Sequence, residues 1–96
     1  MSEHDVDRTM REIREEIAAV DRAILDDVNA RIELVAKIRS LKADAGLPFV
    51  DRDRERELIE ALGLGNAGPL SPEGLRELYT YLLELTKREV GGDAAR

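Results

Sequence analysis

One long stretch without helix-breaking residues constrains this chain of 96 residues more than any other feature. Residues 5–42 contain neither glycine nor proline, and apolar side chains recur every three or four positions, as on one face of a helix. Such a helix would be about 57 Å long, whereas a compact globule of this chain length has a radius of gyration of about 12–13 Å. We therefore predict that a second copy covers part of it, in an intertwined homodimer. The apolar positions are Ile13, Ile17, Val20, Ile24, Val28, Val35 and Ile38.

Two cations fall on this apolar face. The spacing places Arg31 and Lys42 in line with the stripe, and a cation on a buried face is costly unless an anion meets it. An arginine can also pack its stem and keep its head in water, and a lysine near a helix C-terminus complements the helix dipole. Arg14, near the other end, reads by itself as a surface residue. Arg31 and Lys42 together nevertheless indicate a pocket between helices for an acidic small molecule.

Two shorter helices follow, so the predicted fold is all-α, in the order long, short, medium. Gly46 and Pro48 end the first helix, and Asp51 caps a second that runs to about residue 62. Residues 63–69 are expected to form a glycine-rich loop, which lacks the pattern of a phosphate-binding loop. Ser71 and Pro72 begin a third helix that ends near residue 90. We expect one domain over residues 1–96, ordered from about 5 to 90, with a disordered tail at 91–96.

Composition excludes several classes of function. There is no cysteine, and the single histidine, His4, lies near the N-terminus, so a Ser–His or Cys–His nucleophilic site and a histidine metal site are not expected. The net charge of −6 argues against binding to nucleic acid or to an anionic membrane. Because the chain shows neither a membrane-spanning run nor a signal peptide, we expect a cytoplasmic protein.

Charged and polar residues of the second and third helices complete the candidate set. Asp51, Arg54 and Glu55 head the inward face of the second helix, although a charge run of this kind is most often a solvated helix start. Thr86 lies on the apolar face of the third helix, where its hydroxyl can bond the carbonyl of the preceding turn.

Together these residues resemble a known family. Arg14, Arg31 and Lys42, followed by Gly46-x-Pro48-x-x-Asp51-x-x-Arg54-Glu55, are similar in type and spacing to the all-helical (AroQ-type) chorismate mutases. The resemblance extends from about residue 13 to residue 90. It implies the intertwined dimer of the chorismate mutase II type and the conversion of chorismate to prephenate, in phenylalanine and tyrosine biosynthesis. The Claisen rearrangement needs no cofactor, metal, covalent step or acid–base step.

The resemblance also implies a role for each residue. Arg31 and the partner's Arg14 would bind the two substrate carboxylates, and Lys42 would donate to the ether oxygen and to a carboxylate. Glu55 would accept from the ring hydroxyl, helped by the backbone around Asp51. Arg54 and Thr86 would support the carboxylate end.

One position departs from the family pattern. Four residues after Thr86 the family usually has Gln or Glu as a second donor to the ether oxygen, whereas this chain has Val90, with Glu89 beside it. Either the register of the third helix differs by one residue or the donor is missing. A missing donor leaves three alternatives open: weak intrinsic activity, activation by a pathway enzyme, or a different substrate.

Several alternatives remain. An isochorismate-pyruvate lyase or an aminodeoxychorismate mutase would have the same fold, and a non-catalytic helical dimer would need no site. Since no second enzyme domain is evident in the sequence, we expect a monofunctional mutase without its own amino-acid effector site.

Overall fold

Three α-helices make up the secondary structure of residues 2–91, the part of the chain that the computed structural model describes. They are α1 (Glu3–Asp44), α2 (Arg52–Gly65) and α3 (Pro72–Gly91). This confirms the predicted order of long, short and medium helices. None of the three combines the length and the apolar character required to span a bilayer. Apart from Gly91, which closes α3, the tail predicted at 91–96 lies outside the described residues.

The chain divides into two compact units, Met1–Arg31 and Ile32–Arg96, and the division falls inside α1. The first unit is a single helical segment, and none of its described residues is buried. Its apolar stripe is 40–58% exposed, at Val6, Met10, Ile13, Ile17, Val20 and Ile24. The single-domain expectation stays a prediction.

Both ends of α1 are capped by the residues around them. The Ser2 hydroxyl oxygen accepts from the Asp5 amide at 3.2 Å, so Ser2 caps the N-terminus. At the other end the Leu47 amide donates to the Lys42 carbonyl at 2.8 Å, and the Gly46 amide donates to Ala43 at 3.2 Å. This is the Schellman arrangement, and Gly46 supplies its left-handed residue with φ of 71°.

The second helix begins as predicted and ends later than predicted. The Asp51 carboxylate accepts from the Arg54 amide at 3.0 Å and so caps α2. The prediction that residues 63–69 form a loop was wrong for residues 63–65, which continue the helix to Gly65. Each helical glycine costs only about 1 kcal/mol, which packing of α2 on α3 can offset. Asn66 then stops the helix, because its side-chain oxygen accepts from the Gly68 amide and its side-chain nitrogen donates to the Leu70 carbonyl.

The third helix supplies the buried centre of the second unit. Its cap is Ser71, whose hydroxyl accepts from the Gly74 amide at 2.9 Å. Leu75, Leu83 and Thr86 are the buried residues within the described part of the chain, and all three belong to α3. The helix therefore presents one buried edge, and α2 is the helix whose backbone packs most closely on it.

Replacing Gly46 by alanine should destabilise the fold. A Cβ at φ of 71° is strained, and we expect a loss of about 1 kcal/mol in the free energy of unfolding, measured by urea titration. Gly63→Ala is the matched control, since its Cβ would meet nothing within 4 Å and its backbone is helical. That variant should gain about 0.5–1 kcal/mol. Equal changes in the two variants, at one protein concentration, would contradict the conformational role of Gly46.

Candidate active site

Lys42 lies beside the turn that follows α1. Its ammonium nitrogen donates to the Phe49 carbonyl oxygen at 3.1 Å, and the side chain is half-buried. Lys42 and Asp51 line the same open cavity of about 420 Å³. The turn therefore brings a predicted cation and the cap of α2 to one place. An ammonium carries three N–H donors, and the bond to Phe49 uses one of them.

Asp51 and Arg54 are joined through the backbone at the start of α2. The Asp51 carboxylate is committed to the Arg54 amide, which stabilises the first turn of the helix. The Arg54 side chain is exposed. The N–H groups of this first turn carry partial positive charge, which the carboxylates of Asp51, Asp53 and Glu55 complement.

Glu55 belongs to a network of four charged side chains between α2 and α3. Its carboxylate oxygens lie 2.7 Å from the Lys87 ammonium and 3.2 Å from the Arg52 guanidinium. Glu84 of α3 completes the network, at 2.9 Å from Lys87 and 3.2 Å from Arg52. Hydrogen bonds from Lys87 and Arg52 lower the pKa of Glu84, and hydrogen bonds to Glu84 and Glu55 raise the pKa of Arg52.

The surface beside this network is concave. A groove of about 850 Å³ runs between α2 and α3, with an apolar floor that includes Leu75 and Leu83. Arg52, Glu55 and Glu84 stand along it. The groove can therefore hold an apolar body that carries a polar group.

Thr86 is 1% exposed, and its hydroxyl donates to the Leu82 carbonyl at 2.7 Å. The interpretation of this hydroxyl as satisfied by the preceding turn is thereby confirmed.

At the end of α3, Arg39 contacts the backbone of Val90. The Arg39 guanidinium donates to the Val90 carbonyl oxygen at 2.8 Å, and it stands 5.6 Å above the centre of the Phe49 ring. Glu89 is exposed and Val90 is half-buried. A strong hydrogen-bond donor of α1 therefore reaches the place where the sequence lacks a polar side chain.

The predicted site residues fall into separate groups. Lys42 and Asp51 line one cavity, while Glu55 stands along the groove between α2 and α3. Arg14 and Arg31 belong to the first unit, where Arg14 is exposed and Arg31 is half-buried. The roles assigned to them stay predictions.

Sequence reasoning missed Arg39, Phe49 and Lys87. Arg39 is three residues before Lys42 and so shares its helix face, a spacing that could have identified it. Lys87 follows Thr86 directly, but its pairing with Glu55 depends on the register of α3 against α2, which no local pattern specifies.

A family model described as chorismate mutase type II matches residues 13–90. The chain belongs to this family. A bifunctional chorismate mutase/prephenate dehydratase of Aquifex aeolicus is 38% identical over 87 residues, which is 82% of this chain and 24% of that protein. The T-protein of Enterobacter agglomerans is 35% identical over 71 residues, which is 69% of this chain and 19% of that protein. The chain thus spans about a quarter and a fifth of the length of these two relatives.

Solved structures agree with the family assignment. A chorismate mutase of Thermus thermophilus superposes with a TM-score of 0.80 at 32% identity, covering 81% of this chain and 98% of that one. A second crystal form of the same protein gives a TM-score of 0.79. The predicted all-helical fold of the AroQ type is confirmed.

Replacing Arg39 by methionine should loosen the end of α3. The variant keeps an apolar stem but loses the charged hydrogen bond to Val90 and the contact with the Phe49 ring. We expect a loss of about 2 kcal/mol in the free energy of unfolding, measured in urea. Lys37→Met removes an exposed charge two residues away and should cost almost nothing. An equal loss of stability in the two variants would show that the contacts of Arg39 do not stabilise the end of α3.

Proposed function

We propose that this protein catalyses the rearrangement of chorismate to prephenate. The observation that carries the proposal is the family match over residues 13–90, because that span includes all eight predicted site residues. The half-buried Lys42 ammonium, held beside the cap of α2, is the geometric support.

The reaction breaks one C–O ether bond and forms one C–C bond within the same molecule. No proton, electron pair or leaving group passes to the protein. The protein must hold a flexible dianion in its reactive shape and stabilise the negative charge that develops on the ether oxygen.

In this proposal Arg31 and Lys42 bind different groups of the substrate. Arg31 binds one substrate carboxylate, since a guanidinium fork matches the two oxygens of a carboxylate. The compact ammonium of Lys42 donates to the ether oxygen, and its bond to the Phe49 carbonyl orients it. Charge stabilisation of this kind contributes most where it strengthens in the transition state.

The second and third helices hold the rest of the substrate. Glu55 accepts from the ring hydroxyl, and its network with Lys87 and Arg52 holds it in place. The backbone near Asp51 helps Glu55 at the ring hydroxyl, and the side chain of Arg54 supports the carboxylate end, near Thr86.

A second copy of the chain supplies Arg14 in trans. Support comes from the exposed stripe of α1, whose members from Val6 to Ile24 are spaced alternately by four and three residues, as at a helix–helix seam. An isolated helix with such a stripe buries too little apolar surface to be stable in water. Pairing in an intertwined homodimer covers the stripe and brings the exposed Arg14 of one subunit to the site of the other.

We further propose that another enzyme of the pathway activates the mutase and that the protein is cytoplasmic. The support for activation is Val90, which has no polar side chain where a second donor to the ether oxygen is expected. The Aquifex relative joins a chorismate mutase and a prephenate dehydratase in one protein. A mutase that works beside another enzyme would be consistent with that arrangement.

The decisive measurement is the loss of chorismate and the appearance of prephenate with purified protein. Lys42→Ala should lower kcat/KM by about 10²–10³ while the helical circular dichroism is retained, because a donor to the developing oxyanion is lost. Lys37→Ala, an exposed lysine of the same helix, should leave the activity unchanged.

Three outcomes would contradict the proposal. Turnover of isochorismate or of aminodeoxychorismate without turnover of chorismate would indicate a related enzyme on the same fold. No turnover of any of the three, with or without the organism's other pathway enzymes, would indicate a non-catalytic dimer. Lys42→Ala with full activity would remove the assigned role.

Mixing two inactive variants tests the partner's Arg14. Arg14→Ala and Arg31→Ala should each be nearly inactive, but a mixed dimer contains one site with both arginines intact. Random reassembly makes half of the dimers mixed, so about a quarter of the wild-type sites should return. No recovery, although an affinity tag on one variant co-purifies the other and so shows that mixed dimers form, would place both arginines in one subunit.

A further inference from the structure

Lys87 is the innermost cation of the network between α2 and α3. Its side chain is 15% exposed and that of Glu55 is 18% exposed, whereas Arg52 and Glu84 are 69% and 57% exposed. Water therefore screens the outer pair far more than the inner pair. At 2.7 Å, Lys87 is the closer and the less exposed of the two cations beside the Glu55 carboxylate.

The ammonium of Lys87 stays charged despite its burial. Burial by itself would lower the pKa of Lys87, but hydrogen bonds to Glu55 and Glu84 outweigh it and raise that pKa above its usual value. The four groups carry two positive and two negative charges, so the cluster is neutral. Glu55 is thus a carboxylate whose charge is already compensated.

A compensated carboxylate treats two kinds of ligand differently. Lys87 approaches one oxygen of Glu55 and Arg52 the other, yet each oxygen keeps a further lone pair. A neutral hydroxyl can donate to that lone pair without meeting any net charge. A ligand ammonium would gain little from the compensated carboxylate, so the free-energy cost of removing its charge from water is not offset.

We infer that Lys87 is a specificity-determining residue, which makes Glu55 select a ring hydroxyl and reject an ammonium at the same place on the substrate. The inference rests on the proposed function, in which Glu55 faces the ring hydroxyl of chorismate. Lys87 acts through Glu55 and contacts no reacting atom. The class of ligand it excludes is the 4-amino-4-deoxy analogue of chorismate in its protonated form.

The test compares kcat/KM for chorismate with kcat/KM for the amino analogue at a pH where the amine is protonated. In Lys87→Met, which keeps the length of the side chain and removes its charge, the preference for chorismate should fall by roughly tenfold. Lys87→Arg keeps the cation and should retain the preference. Glu84→Gln, which removes the exposed carboxylate beside Lys87, should not lower it.

A second readout needs no variant. In the wild type the preference for chorismate should narrow as the pH rises through the pKa of the analogue's amine, because the neutral amine has no charge to remove from water. This dependence reports whether the charge on the analogue's amine is disfavoured beside Glu55, as the inference requires. It keeps the inference falsifiable even if Lys87→Met does not fold.

Each result has one meaning. A wild type that rearranges chorismate, together with an unchanged preference in Lys87→Met or a preference insensitive to pH, would overturn the inference and leave the proposed function standing. A wild type that does not rearrange chorismate would overturn the proposed function itself, and with it the role of Lys87. An equal loss on both substrates in Lys87→Met would show that Lys87 only stabilises the fold.

Discussion

Two hydrogen bonds of Lys42 organise the second unit. Its backbone carbonyl accepts from the Leu47 amide, which ends α1, and its ammonium donates to the Phe49 carbonyl, which directs the chain toward α2. Asp51 follows two residues after Phe49 and caps that helix. Lys42 therefore contributes both to the turn and to the cavity. The same turn positions the end of α1, the start of α2 and the predicted catalytic ammonium. A shift of the turn would move all three.

Local charge balance allows an acidic chain to present cations. The net charge is −6, yet Arg52 and Lys87 are matched by Glu55 and Glu84 within hydrogen-bonding distance. Such matching reduces the cost of half-burying charged groups, although each exposed pair contributes little stability. The network therefore serves mainly to hold Glu55 in one geometry. Its contribution is to the shape and electrostatics of the groove rather than to the free energy of folding.

Stability in this fold depends on surfaces that one chain leaves exposed. Leu75, Leu83 and Thr86 are the buried residues of the described chain, a small core for three helices. The first unit has no buried residue in its described part, and its apolar stripe is exposed to solvent. Helices require the packing of such faces for most of their stability. The proposed dimer would satisfy that requirement and would complete the site with the same contact.

The helices were predictable because their signals are local. Gly46, Asp51 and Ser71 cap or end helices through bonds to residues three positions away, and all three were predicted. Gly63 and Gly65 misled the prediction of α2, because a glycine lowers helix propensity by only about 1 kcal/mol and tertiary packing can override it.

The sequence by itself determined the helical order, the capping residues and the family, since periodicity, turn chemistry and the spacing of Arg14, Arg31 and Lys42 all act along the chain. Only the tertiary structure decided which charges meet. The pairing of Lys87 with Glu55 and the reach of Arg39 to Val90 join residues more than thirty positions apart. Their contact depends on the register and approach of whole helices, which arise from packing over many side chains and leave no signal at any single position.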